Sequence, residues 1–232
     1  MKKFFYLLLI VITFSSCSEY QKALKSEDIA VKFKLGTELY DAGKYGKANR
    51  LFAQIVPGYR GKPQAEKLMF MYSNSASCNL LTWIKKQKET KEAIEKLQLF
   101  INKYPESQYL AEANSMIKEL DYKLEKKAFE IAKQYNKIAN FESADYEASI
   151  KSFDLFLLEY PGTTFREEAM YYRLDSAYNL AVNSIKSKKE GRLNSAITYY
   201  KSFAKAYPNS KHKETADAMN AELTAQLSQL SI

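Results

Sequence analysis

The 232-residue chain has a formal net charge of +8, from 35 Lys and Arg against 27 Asp and Glu, and 46% of its residues are hydrophobic. Its lysines alternate with glutamates along helix faces, which describes a solvated helical surface and speaks against the clustered basic footprint of a nucleic-acid binder. Cysteine use is sparse, with Cys17 and Cys78 the 2 in the sequence, so stability rests on packing, to which 18 Tyr and 13 Phe are suited.

In chain order, Lys2 and Lys3 precede an apolar run from Phe4 to Phe14, followed by Ser15-Ser16-Cys17. A charged start, a short greasy run and small residues predict a secretory signal peptide over 1–16, too short to span a bilayer. Its removal would leave 216 residues and, with Lys2 and Lys3 gone, a charge of +6. The cysteine placed directly after two small residues resembles the lipobox of bacterial lipoproteins, in which that cysteine becomes the acylated first residue. Cys17 is therefore the predicted lipidation site, each buried methylene of its acyl chains adding ~0.8 kcal/mol to membrane binding. Ser18-Glu19, in place of an aspartate, implies delivery to the outer membrane, and the lack of an acidic run implies a domain facing the periplasm.

Residues 17–25 read as a polar tether. A helix capped by Ser26, with Glu27 and Asp28 in its first turn, is predicted to run to about Ala42 and stop at Gly43. From there one helical phrase is written four times: Ala48-Phe52-Ile55-Tyr59, Ala93-Leu97-Phe100-Tyr104, Ser149-Phe153-Phe156-Tyr160 and Ala196-Tyr200-Phe203-Tyr207. Spacings of 4, 3 and 4 stack these side chains on one helix face. In the last three copies a proline follows the tyrosine (Pro105, Pro161, Pro208) and a hydroxyl residue follows two later (Ser107, Thr163, Ser210). The proline ends the helix and the hydroxyl is placed to cap the next. In the first copy Arg60 replaces the proline. Helix, stop, cap and helix in repetition predict an all-α, tetratricopeptide-like helical repeat solenoid of about nine helices. Gly36, twelve residues before Ala48, is the small residue expected to admit the second helix of the first pair.

A third helix is expected over 63–81, and 74–91 is the least patterned stretch. Between Gly61 and Gly162 there is no glycine, and between Pro105 and Pro161 no proline. Leu110, Ala113, Ile117, Leu120, Leu124, Ala128, Ile131, Tyr135 and Ile138 keep one helical phase there, predicting a single long helix over 107–142, on the order of 50 Å. N-terminal repeats over 26–106 and C-terminal repeats with a capping helix over 143–232 flank it. Within the latter, a helix from Thr164 to Lys186, a charged loop over 186–191 and a last helix from Ser210 to Leu230 are expected.

Catalytic chemistry is not legible. The single histidine, His212, stands in a lysine-rich stretch, no Cys/His cluster offers a metal site, and no glycine-rich loop would cradle phosphate. Carboxylates sit beside lysines at helical spacing and read as ion pairs. Cys78 and Trp83 read as packing residues. The expectation is a non-enzyme that needs no cofactor beyond the lipid on Cys17.

The lipobox and the repeat units together resemble the BamD family, lipoproteins of the machinery that inserts β-barrels into the outer membrane. The resemblance rests on A-I-E-K-L-Q-L-F-I-N-K-Y-P-E-S, L-E-Y-P-G-T, A-K-A-Y-P-N-S-K and the long breaker-free helix after Pro105. It covers most of the mature chain and is strongest from Glu92 to Ser210. The family usually has five repeats, whereas four closing helices are found here, the shortfall falling at 74–91. The resemblance implies a scaffold whose N-terminal repeats receive unfolded β-barrel precursors and whose C-terminal repeats dock on a BamA-type barrel-inserting protein. Carrying over the groove formed by the first helices of each pair nominates Phe33, Thr37, Tyr40, Lys67, Met71 and Asn74 for precursor binding. Tyr171, Tyr172 and Arg173 are nominated for docking. Other readings are a periplasmic adaptor for peptidoglycan or division machinery, a cell-wall enzyme with convergent groove carboxylates, and a nutrient-capture lipoprotein.

Overall fold

A computed structural model describes residues 19–81, 87–143 and 145–230. Cys17, the stretch over 1–16 expected to be a signal peptide, and Trp83 lie outside these. The described residues form ten α-helices and no strand: α1 (19–25), α2 (Ile29–Asp41), α3 (Tyr45–Ile55), α4 (Ala65–Leu81), α5 (Gln87–Lys103), α6 (Leu110–Ile138), α7 (Tyr146–Glu159), α8 (Arg166–Val182), α9 (Lys186–Ala206) and α10 (Lys213–Leu230). The fold is all-α and tetratricopeptide-like. Two compact units divide the chain, one ending at Lys123 and the other beginning at Leu124.

In the first unit α2 packs on α3, α3 on α4, and α4 on α5. The stretch expected as a polar tether is helical from residue 19, and Tyr20 and Ala23 of α1 enter the core beside Leu39, Leu51 and Phe52. Asp28, rather than Ser26, caps α2: its carboxylate accepts from the Ala30 amide at 2.7 Å, while the Ser26 hydroxyl accepts from the Asp28 amide. Gly36 fulfils its expected role, since a Cβ there would lie 2.6 Å from the Phe52 ring. At Gly43 φ is 70°, a left-handed turn that glycine enters without strain. The described residues of the poorly patterned 74–91 stretch are the end of α4, to Leu81, and the start of α5, from Gln87, so the four closing helices α3, α5, α7 and α9 each have an opening partner. The weak pattern has a physical source: Ser73, Ser75 and Ser77 are buried on α4, small and polar where apolar residues were sought. Ser73 donates to the Lys96 carbonyl, and Asn49 reaches both the Tyr72 carbonyl and the Ser75 hydroxyl.

In the second unit α7 packs on α8, α8 on α9, and α10 on both α8 and α9. The loop expected over 186–191 is instead the opening of α9, because Lys and Glu are good helix formers and the Lys189 ammonium bonds back to the Val182 carbonyl.

The long helix is α6, which passes into a π-helical turn over Ala139–Ser143. Its apolar residues do not share one buried stripe. Ala113, Leu120 and Leu124 are buried, but further along the core line is Phe129, Ala132, Asn136 and Ala139, while Ile131, Tyr135 and Ile138 are 44%, 48% and 40% exposed.

The repeated phrase faces the core in all four copies. Ala48, Phe52, Ile55, Ala93, Leu97, Phe100, Ser149, Phe153, Phe156, Ala196 and Phe203 are all buried. After each Tyr-Pro turn the hydroxyl performs two tasks. Ser107, Thr163 and Ser210 accept from the amides of Tyr109, Phe165 and His212 at 3.0–3.1 Å. The same hydroxyls donate to Glu66, Glu125 and Glu167 at 2.6–2.7 Å. Four residues beyond each glutamate an aromatic ring stacks on the ring that follows the hydroxyl. These pairs are Phe70 on Tyr109 (4.3 Å), Phe129 on Phe165 (4.8 Å) and Tyr171 on His212 (3.8 Å), with planes within 11° of parallel. Each of these three Tyr-Pro turns is thus clamped to the opening helix of its own pair by a charge-assisted hydrogen bond and a ring stack.

Candidate partner-binding surfaces

In the first unit, Phe33, Thr37 and Tyr40 follow one face of α2. Phe33 is half-buried and stacks on Tyr59 at 5.3 Å. The Thr37 hydroxyl is turned back onto the Phe33 carbonyl. Tyr40 meets Tyr45 edge-on and tilts against Phe52. Burial, with the nearby Cys78 and Glu112 adding to it, pushes the Tyr40 phenol well above its ordinary value. On α4, Lys67 is exposed, whereas Met71 is enclosed in the core at 3% exposure. Asn74 is buried, donating to Glu112 at 3.1 Å and accepting from the Cys78 thiol at 3.0 Å. Burial raises the Cys78 thiol above its ordinary value, so it stays protonated and serves as a donor. Of the six nominated residues, then, four reach the surface, while Met71 and Asn74 support it from within.

In the second unit, Tyr171, Tyr172 and Arg173 are adjacent on α8 but all are used inside the fold. Tyr171 is stacked on His212, and Tyr172 lies near-parallel to Phe153 at 6.1 Å beneath the Lys133 ammonium. Arg173 pairs with Asp154 at 2.7 Å and lies over the Tyr199 ring at 4.3 Å. Burial lifts the phenols of Tyr171 and Tyr199, and a hydrogen bond to Glu222 moves that of Tyr178 up to about 12. These groups remain neutral at any physiological pH.

Among the described residues of this unit, a groove of about 810 Å³ lies along the end of α6. Ile131, Ile138 and Phe141 give it an apolar floor, with Lys127, Lys133 and Lys137 beside a single Glu130. Tyr135 extends the exposed apolar line, and Phe141 is 80% exposed. In the sequence Ile131, Tyr135 and Ile138 keep the helical phase of Ala113, Leu120 and Leu124, but they do not share their burial. The available signal was the second line, Phe129, Ala132, Asn136 and Ala139, which competes for the core at equally good helical spacing.

Among the described residues no group of three His, Cys, Asp or Glu side chains is placed to hold a metal ion, and no helix is long and apolar enough to cross a membrane. What the fold and its surfaces define is a helical-repeat protein with aromatic, apolar and lysine-bearing faces among its described residues. Its sequence matches the family model of YfiO, outer membrane lipoprotein, over residues 20–140 and 138–232. The chain therefore belongs to this family of outer membrane lipoproteins, the BamD/YfiO family. No curated protein matches it.

Proposed function

We propose that this protein is the lipoprotein scaffold of a β-barrel assembly machine. The reading is carried by the family match across both units, and the helical repeat architecture supports it. A lipid on Cys17 holds the chain at the outer membrane, with the folded units facing the periplasm. The α2 and α4 face bearing Phe33, Thr37, Tyr40 and Lys67 receives the terminal strand of an unfolded barrel precursor. Aromatic and cationic groups suit a strand that ends in an aromatic residue and a carboxylate. The second unit docks on the periplasmic domains of a BamA-type protein. Its contact surface is the Ile131, Tyr135, Ile138 and Phe141 stripe, since Tyr171, Tyr172 and Arg173 are already engaged within the fold. An apolar line of this length flanked by lysines is the sort of surface that a partner covers.

The test is affinity capture of tagged full-length protein from detergent-solubilised envelopes, with partners identified by mass spectrometry. A stoichiometric barrel-inserting protein with several periplasmic domains is expected. Its absence, with peptidoglycan synthases or division proteins in its place, would move the chain to the envelope-adaptor class. Replacing both Ile131 and Tyr135 by Glu is expected to abolish that capture while leaving the helical circular dichroism unchanged.

A further inference from the structure

The N-terminus of α3 differs chemically from those of α2 and α7. Those two are capped by the carboxylates of Asp28 and Asp145, which accept from first-turn amides. Helix α3 begins after Lys44 with no side-chain cap, so its leading amides and the positive end of its dipole face outward. Gly46, in its first turn, has no side chain to screen that backbone. The opening there, about 620 Å³, is lined by Tyr20, Gly43, Lys44, Tyr45, Gly46, Lys47 and Arg50. Three of these are cations and none is an anion. None of Lys44, Lys47 and Arg50 forms an ion pair among the described residues.

A second observation comes from α1. Tyr20 lines the same opening, is 6% exposed, and its buried hydroxyl has no hydrogen-bond partner. A buried donor left unpaired costs about 1–3 kcal/mol, so a native fold keeps one where something else satisfies it. The Lys47 ammonium lies over the Tyr20 ring, 5.3 Å from its centroid, which draws the lysine and the hydroxyl-bearing ring to one place. Uncapped amides, convergent cations and an orphan hydroxyl form a donor set with no acceptor, and the ligand that complements it is a compact, multiply charged oxyanion.

We propose that this opening binds a phosphate group, through the Tyr45 and Gly46 amides, Lys47, Arg50 and the Tyr20 hydroxyl. Tyr20 is three residues from Cys17. The phosphate can be that of an anionic lipid headgroup or free in solution, and the lipid source rests on the proposed acylation of Cys17, whereas the site itself does not. With a headgroup bound, the first unit would sit against the bilayer at α1 and α3 instead of trailing from a free tether.

The test uses the full mature chain carrying Cys17→Ser, so that neither acylation nor a partner affects the outcome. In the first arm, inorganic phosphate is titrated and the Tyr45 and Gly46 amides are followed by NMR. Saturable shifts are expected, with affinity about tenfold weaker in Lys47→Gln/Arg50→Gln. Affinity several-fold weaker is expected in Tyr20→Phe, which keeps the ring. In the second arm, sedimentation with phosphatidylcholine vesicles, with and without phosphatidylglycerol, is compared. Binding that requires phosphatidylglycerol and falls about tenfold in the double variant, but not in the distant Lys201→Gln/Lys205→Gln control, assigns the site to a lipid headgroup. Amide shifts without that vesicle effect assign it to free phosphate. Unmoved amides overturn the proposal, even if vesicle binding falls, because that alone is the attraction of any basic patch to a charged surface. Unchanged phosphate affinity in Tyr20→Phe overturns it as stated, by removing the hydroxyl from the donor set.

Discussion

The first closing turn and the three later ones solve one problem in different ways. At Tyr104, Tyr160 and Tyr207 the chain stops at a proline, and a hydroxyl reaches across to a glutamate on the opening helix while two rings stack beside it. At Tyr59 both halves of that device are missing together: Lys62 stands where the hydroxyl would be, and Ile29 stands four residues before Phe33 where the glutamate would be. The first pair is held instead by Phe33 on Tyr59, by the close approach of Phe52 to Gly36, and by Tyr20 and Ala23 from α1. Paired loss shows that the clamp is a unit. A partly buried carboxylate without its hydroxyl donor, or the hydroxyl without its acceptor, would be worse than neither.

The comparison would be broken most forcefully at Phe129, which contacts Phe153, Phe156, Phe165 and Tyr172. Phe129→Ala is expected to lower the urea-unfolding free energy by ~3–5 kcal/mol. Phe33→Ala, at the half-buried counterpart in the first pair, should cost only about 1–2 kcal/mol; equal losses would mean that the clamp gives the later pairs no advantage. Gly36→Ala probes the first pair's own device. The added methyl must displace the Phe52 ring, for a loss of about 1–3 kcal/mol, whereas Gly191→Ala, with nothing within 4 Å, should hold or gain stability. Thr163→Val removes one clamp hydroxyl and strands the Glu125 carboxylate, costing about 1–2 kcal/mol, and Glu125→Leu added to it should recover part of that loss in a double-mutant cycle.

The smallest effect belongs to His212, the one histidine, which occupies the ring position taken by Tyr109 and Phe165 in the other clamps. Burial first, and the Lys211 charge second, lower its pKa below the ordinary 6.5, although Glu168 and Glu167 oppose the shift. Its Nε2 is buried without a partner, so a proton added there is an unmet donor. Because the folded pKa is the lower one, this contribution to stability is fully present above the unfolded value and is lost as pH falls through the folded one. Thermal unfolding from pH 8 to pH 5 is therefore expected to show a shallower decline in His212→Phe than in the parent, with the stack preserved.

Much of the repeat architecture could be read from residue order. The phrase is local and periodic, and most of the residues it nominates are buried, with Tyr104, Tyr160, Tyr200 and Tyr207 only partly so. The Y-P-x-S/T turns were legible as stops and caps, but the hydroxyl's second bond was not, because its glutamate lies 41, 38 or 43 residues earlier and no local rule links them. A sharper reading could have found E-x-x-x-F/Y on each opening helix and Y-P-x-S/T-x-ring after each closing one. The partner surfaces were the least legible. Met71 and Ile131 are both apolar residues on helices, yet one is 3% exposed and the other 44%.

By itself, then, the sequence determined the class of fold and the helix pairs with their stops, because each follows from spacings within a single turn or helix. Tertiary structure alone decided which of two competing apolar lines on α6 was buried and that Tyr171, Tyr172 and Arg173 were committed to intramolecular contacts. It also set α1 against α3, so that Tyr20, whose buried hydroxyl has no partner, and three cations line one opening. Those outcomes depend on which neighbour reaches a side chain first, and helical periodicity fixes the direction in which a residue points but not what it meets there.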